Sequence, residues 1–190
     1  MRTILLSLIA TIFFLNAANA QSKHLMGKGN MDFTFGIGMM SSSSFLDGAQ
    51  TNMPPLTLQV RRYLGENFSL GLSYTQASYE SLPIIVSDGL AQRVTNRSQQ
   101  LGLKGAFHYN KLDHLDFYGG FLLAVNHSKF SVDYGDFEYL SKHMNIQEKA
   151  STLTYTGFAG AEYIFASRVT AFTEVGFGSS IFTFGVGYRL

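Results

Sequence analysis

From Met31 onward bulky apolar residues recur at every second position, and a period of two commits a chain to strands with one greasy face and one small or polar face. The last segment shows it most cleanly: Phe182, Phe184, Val186, Tyr188 and Leu190 interleave with Thr183, Gly185, Gly187 and Arg189. Phe68, Leu70, Leu72 and Tyr74 stand in the same way against Ser69, Gly71, Ser73 and Thr75, and Leu101, Leu103, Phe107 and Tyr109 against Gly102, Lys104, Ala106 and His108. Five further segments carry weaker forms of the pattern, at 31–40, 55–63, 115–127, 151–164 and 169–178. Their apolar rows are Phe33, Phe35, Ile37 and Met39; Leu56, Leu58 and Val60; Phe117, Phe121, Leu123 and Val125; Leu153, Tyr155 and Tyr163; and Ala171, Val175 and Phe177. Eight segments are an even number, which lets a sheet close on itself with every neighbour antiparallel.

The connections alternate in length. Residues 41–54, 81–97 and 129–150 are long, whereas 64–67, 110–114 and 165–168 are short. Long and short ends therefore fall on opposite sides, as in a membrane barrel with tight turns at one rim and extended loops at the other. The final connection, near Gly178 to Ser180, lies on the long-loop side yet is short. Ser41 to Ser44 and Met53-Pro54-Pro55 read as a flexible first loop.

Which face points inward follows from side-chain size and charge. The apolar rows hold the large residues and the other rows Gly, Ala, Ser and Thr, which suits the crowded interior of an eight-strand barrel. A polar row facing water would be dense in Lys and Glu, yet only 14% of the chain is charged, against about 25% in soluble domains. The predicted fold is all-β: an eight-stranded antiparallel up-and-down transmembrane β-barrel over 31–190. No apolar stretch of 18 or more residues follows the first segment, so the spans must be strands.

That first segment has Arg2, an apolar run from Ile4 to Leu15 and then Ala18-Asn19-Ala20, the pattern of a cleaved secretory signal peptide over 1–20. Cleavage after Ala20 leaves 21–30 as a short tail ahead of the barrel. It removes Arg2 from the 14 basic residues, leaving 13 against 13 acidic ones, a balance that argues against a nucleic-acid partner. Cysteine is absent, which removes disulfides, thiolate zinc sites and cysteine nucleophiles together.

With the polar rows inside, Asp32, Arg61, Lys104, Asp116, Glu162, Glu174 and Arg189 face the lumen, four acids and three bases. Charges removed from water persist only when paired. The expected pairs are Lys104 with Glu174 near mid-depth, and Arg189 with a nearby acid such as Glu162. A network of this kind leaves little open bore.

The signal peptide, the eight alternating segments and the terminal Tyr188-Arg189-Leu190 together resemble the small outer-membrane β-barrel family, the porin-like group that includes the OmpA transmembrane domain, OmpX and OmpW. The likeness covers the whole chain after the signal peptide. It implies a bacterial outer-membrane location, with 21–30 on the periplasmic side. It also implies contact with outer-membrane lipid and lipopolysaccharide, and a last strand, Phe182, Phe184, Val186, Tyr188 and Leu190, read by the barrel-assembly machinery. That strand commonly ends in Phe in the family; here it ends in Leu190. Trp, frequent in the family's interfacial girdles, is absent, and Tyr63, Tyr109, Tyr163 and Tyr188 near the short turns are the expected substitutes.

Other motifs weaken under their own requirements. Some outer-membrane barrels resemble lipid A hydrolases that use a His and a Ser one residue apart on a strand. In Asn126-His127-Ser128 the two are adjacent and fall on opposite faces of a regular strand. The Gly-X-Gly pairs at Gly36, Gly176 and Gly185 fall in strand patterns with no helix after them, so they serve packing or close backbone approach and not phosphate binding. Asn67, Asn96 and Asn126 open glycosylation-type triplets of no weight. Asp133, Asp136 and Glu138, with His143 nearby, fit no defined calcium loop and read first as a solvated acidic turn, with a weak surface site for calcium or bridged divalent ions as the alternative. No catalytic residue, metal site or cofactor is assigned.

The loop 129–150 holds Phe130, Val132, Tyr134, Phe137 and Tyr139 around Tyr134-Gly135-Asp136. It reads either as an ordinary ordered loop or as a hairpin above the membrane whose edge pairs with an extracellular partner by β-addition. Two functions are in contention. One is a non-enzymatic barrel that displays surface loops for interaction or supports envelope integrity. The other is a narrow porin-like passage for ions or small apolar molecules.

Overall fold

The computed structural model describes residues 28–41, 49–81, 84–85, 91–109, 111–112, 114–132, 137, 147–165 and 168–190. Within them run ten strands: β1 (Met31–Ser41), β2 (Gln50–Tyr63), β3 (Phe68–Glu80), β4 (Ile84–Ile85), β5 (Ala91–Gln92), β6 (Val94–Tyr109), β7 (Leu115–Val132), β8 (Lys149–Ile164), β9 (Val169–Gly176) and β10 (Ser180–Arg189). Eight of them close into a barrel in the order β1-β10-β9-β8-β7-β6-β3-β2, every neighbour antiparallel. Strands β4 and β5 form a separate small hairpin in the connection from β3 to β6.

Closure is made between the first and last strands, where Phe33 pairs with Tyr188 and Phe35 with Val186. Joining these ends leaves no open sheet edge there, which a strand in hydrocarbon cannot tolerate. The wall is not of even height. The β7–β8 ladder runs from Leu115↔Tyr163 to Lys129↔Lys149, whereas the β8–β9 ladder stops at Phe158↔Gly176. The rim is thus tall along β3, β6, β7 and β8 and low at β9, β10 and β1.

The apolar rows face out. Phe33, Phe35, Ile37, Leu58, Leu72, Leu103, Phe121, Leu123, Val186 and Phe184 are all exposed, and Tyr155 reaches 85%. A continuous belt of this size would drive association in water and is stable against lipid. The opposite rows, with Ser69, Ser73, Thr75, Ala77, Ala106 and Ala124 among them, are buried in the lumen.

Several expectations need correction. Met53, Pro54 and Pro55 are not loop: they lie in β2 at shifts in its register with β3, where a bulge accommodates residues that cannot complete a ladder. The connections 81–97 and 129–150 are partly strand, since β6 begins at Val94, β7 runs to Val132 and β8 begins at Lys149. Phe130 therefore belongs to β7, where it pairs with Asn96, and its N–H donates to the carbonyl of Glu148. Gly178 sits in the bend between β9 and β10 and not in a strand. The segments 1–20, 42–44 and the residues Asp133, Tyr134, Asp136, Glu138, Tyr139 and His143 lie outside the described residues.

Candidate functional site

The lumen gathers the polar chemistry because each barrel strand sends every second side chain to it. At the short-turn end β1 supplies Asp32, β2 Arg61 and Tyr63, β8 Glu162 and β10 Arg189. Arg61 Nη2 lies 2.7 Å from Asp32 Oδ2 and 2.5 Å from Glu162 Oε2. Arg189 reaches both oxygens of Asp32, with Nε at 2.7 Å from Oδ1 and Nη2 at 2.8 Å from Oδ2, and Glu162 Oε1 at 3.4 Å. Two guanidiniums and two carboxylates thus alternate in a closed quartet. Forked donors meeting paired oxygens are the geometry in which buried charges hold most firmly.

Tyr63 lies against this quartet and is 0% exposed. Its ring stands 5.3 Å from the Arg61 guanidinium and 5.4 Å from that of Arg189, and its hydroxyl accepts from Arg189 Nη2 at 3.3 Å. It is not part of the interfacial girdle, because it shares the inward parity of Arg61. Tyr109, Tyr163 and Tyr188 are exposed on the outer face.

A second layer lies at mid-lumen. Lys104 Nζ donates to both oxygens of Glu174, at 2.6 and 2.5 Å, and to Gln59 Oε1 at 3.2 Å. Tyr118 donates to Glu174 Oε1 at 2.8 Å, and Lys104 stands 4.2 Å over the ring of Phe158.

Asp116 joins neither layer. Its Oδ2 meets His108 Nδ1 at 2.5 Å, while Ser69 Oγ meets His108 Nε2 at 2.7 Å. His108 supplies the partner that a count of four acids and three bases leaves missing. Sequence reasoning placed His108 on the inward row of its strand without assigning it a partner, since a cross-strand neighbour eight residues away appears only with the register His108↔Tyr118. Serine, imidazole and carboxylate in this order are the relay of many hydrolases. Here Ser69 and Asp116 are 0% exposed, so no acyl carbon can approach the hydroxyl, and the three act as a buried hydrogen-bonded chain.

Between the Lys104 layer and the long-loop rim lies a polar cavity of about 60 Å³, lined by Thr57, Ser73, Thr75, Gln100, Thr156 and Thr183 among others, with Lys104 and Glu174 also in its wall. That is room for a few waters. Below it the remaining space beside Ser69 and Arg61 shrinks to about 10 Å³.

On the outer face His127 and Ser128 diverge, His127 exposed and Ser128 half-buried. His127 Nδ1 instead lies 3.0 Å from Ser151 Oγ on the neighbouring strand. The outward residues of the last strand, Phe182, Phe184, Val186, Tyr188 and Leu190, form one exposed apolar row. Among the aromatics of the 129–150 connection, Phe130 and Phe137 are of intermediate exposure.

No family model matches the sequence, and no curated protein matches it. Solved structures do. Ail, the attachment invasion locus protein of Yersinia pestis, solved with the heparin analogue sucrose octasulfate, superposes with a TM-score of 0.53 at 12% identity, over 86% of this chain and 99% of that one. The N-terminal β-barrel domain of Pseudomonas aeruginosa OprF gives 0.53 at 14% identity, over 86% and 99%. The outer-membrane protein OprG of the same organism gives 0.53 at 10%, over 86% and 97%. At such identities the likeness speaks for the fold: this chain is a closed eight-strand antiparallel barrel with the same fold as these outer-membrane proteins.

Proposed function

We propose that the chain is a non-enzymatic outer-membrane barrel, exported by a signal peptide cleaved near Ala20, that holds its long-loop rim at the cell surface and does not conduct. The observation that carries this reading is the quartet of Asp32, Arg61, Glu162 and Arg189, which fills the lumen at the short-turn end with paired charge. A solute crossing the barrel would have to part this layer and the Lys104–Glu174 layer, leaving ions unpaired in a low-dielectric interior. The rim in turn offers extended, paired strand ends on β6, β7 and β8, a rigid platform for contact with an extracellular partner through 129–150. The apolar row ending at Leu190 suits recognition by the barrel-assembly machinery, and the belt as a whole suits outer-membrane lipid and lipopolysaccharide.

Planar-bilayer recording tests this together with loop deletion. The expected result is no steady conductance, and surface binding that disappears when 133–146 is removed; steady conductance that loop deletion leaves unaltered would reject the reading. The cavity above Lys104 favours one alternative, a gated narrow passage for ions or small apolar molecules. Removal of Lys104 or Glu174 would then change conductance. Hydrolysis is disfavoured by the burial of Ser69 and by the absence, among the described residues, of an acid orienting His127 beside Ser151. An unchanged lipid A mass spectrum on expression is the expected result.

A further inference from the structure

Above the apolar belt, three cations stand side by side on the outer face. The register pairs Arg97 of β6 with Lys129 of β7, and Lys129 with Lys149 of β8. All three are exposed, and all share the outward parity of the belt residues Leu101, Val125 and Leu153 on the same strands. Like charges directly opposite one another on adjacent strands repel and destabilise the sheet. A fold that sets two such pairs in a row calls for an anion to bridge them.

Among the described residues the protein does not supply one. None of the three makes an ion pair among the described residues. The nearest acid along β3 is Glu80, and it is taken by Arg93 Nη1 at 2.8 Å and Asn52 Nδ2 at 3.0 Å. The register neighbour of Arg97 on the β3 side is the uncharged Ser78. Glu148, beside Lys149, sits in the bend before β8 and makes no ion pair among the described residues.

Height identifies the anion. Arg97 lies four residues beyond Leu101, as Lys129 lies beyond Val125 and Lys149 is offset from Leu153. At about 3.3 Å per residue on a strand tilted by about 40°, the cations stand roughly 10 Å past the last apolar row. That is the polar zone just outside the hydrocarbon, where lipid phosphates sit, and long basic side chains reach it with their stems along apolar surface. The intervening row, Gln99, His127 and Ser151, is neutral and polar, the transition expected at that boundary.

We infer that Arg97, Lys129 and Lys149 bind the phosphate groups of an outer-leaflet lipid, a phosphorylated glycolipid headgroup spanning two or three cations. The inference rests on the reading that the long-loop rim faces the outer leaflet. It names three residues that would tie β6, β7 and β8 to the lipid around them.

The test uses the refolded full barrel, titrated with bis-phosphorylated lipid A, with the same lipid after phosphate removal, and with inorganic phosphate, beside the triple variant Arg97→Gln, Lys129→Gln, Lys149→Gln. At about fivefold per cation near a charged surface, the variant is expected to bind bis-phosphorylated lipid A roughly a hundredfold more weakly. The dephosphorylated lipid should bind native protein no better than the variant binds lipid A, and inorganic phosphate should compete only weakly. Equal binding by native protein and variant, indifference to the lipid's phosphates, or inorganic phosphate binding as tightly as the lipid would each overturn the inference. In neutral detergent the variant should be at least as stable as native protein, since repulsion is relieved; a loss of stability there would make the row structural and also overturn it. Insertion into neutral phosphatidylcholine vesicles, read by heat-modifiable migration, separates the two levels. A barrel that inserts but ignores phosphate sinks the inference alone, and a chain that never inserts sinks the membrane reading with it.

Discussion

Lys104 and Glu174 meet across the lumen, Nζ within 2.6 Å of both carboxylate oxygens, from strands on different sides of the barrel wall. Both are largely buried, so removing one partner strands the other as an unpaired charge. Lys104→Met is expected to cost about 3–5 kcal/mol on that account, and the double change Lys104→Met with Glu174→Met to recover most of it. Urea unfolding in micelles, followed by gel migration, measures both. Conductance should stay absent in all three proteins, because the quartet at the short-turn end closes the lumen independently.

Tyr63 separates packing from hydrogen bonding in that quartet. Tyr63→Phe keeps the ring against both guanidiniums and loses only the acceptor for Arg189, an expected cost of about 1 kcal/mol. Tyr63→Ala opens a cavity beneath two buried cations, and about 3–5 kcal/mol should be lost. Equal costs for the two variants, in the same unfolding assay, would show that the ring itself contributes nothing.

These residues also mark how far the sequence could be read. The barrel and its inward and outward faces were legible wherever bulky residues contrast with small ones, as in Phe182 to Leu190. Beyond the membrane the contrast vanishes, since Arg97 and Gln99 alternate with polar neighbours too, so the upper part of β6 looked like loop and those of β7 and β8 were legible only as one of two readings, the hairpin around Tyr134-Gly135-Asp136. Pro54 and Pro55 read as chain breakers because the bulge that admits them depends on the partner strand. Tyr63 was misplaced for a different reason: its aromatic type suggested a girdle while its parity with Arg61 pointed inward. The pairing of His108 with Asp116 depends on register, which alternation on either strand alone does not contain.

Glu80 ties the long-loop ends of β2 and β3 to the β4–β5 connection. Hydrogen bonds from Asn52 and then Arg93 hold its carboxyl below the ordinary value of 4.5. A lowered folded pKa means that the contribution to stability is complete above the unfolded value and is lost as pH falls through the folded one. Hydrogen exchange over 76–97 should therefore show less protection in Glu80→Gln than in native protein at pH 7. The difference should shrink below pH 4.5 and disappear once Glu80 is protonated. A difference that persists unchanged into acid would remove Glu80 from the account.

Gly120 and Gly157 test how closely the strands pack. A Cβ on Gly120 would collide with the Gly105 carbonyl oxygen and stand 2.8 Å from Ala106 Cα, both backbone atoms of β6 that cannot swing aside. Gly120→Ala must therefore push β7 away from β6 in the middle of a long ladder, with an expected loss of about 3 kcal/mol or more and a smaller refolded fraction. At Gly157 the nearest atom stands 3.7 Å away, which is ordinary contact, and Gly157 is exposed. Gly157→Ala should be neutral, or more stable by about 0.5–1 kcal/mol, since alanine loses less freedom than glycine in a strand. The two substitutions add the same methyl group, on the inward row of β7 at Gly120 and on the outward row of β8 at Gly157. A refolded fraction that falls equally in both would mean that backbone approach does not set the cost, and the close β6–β7 contact would then carry no weight in the barrel's stability.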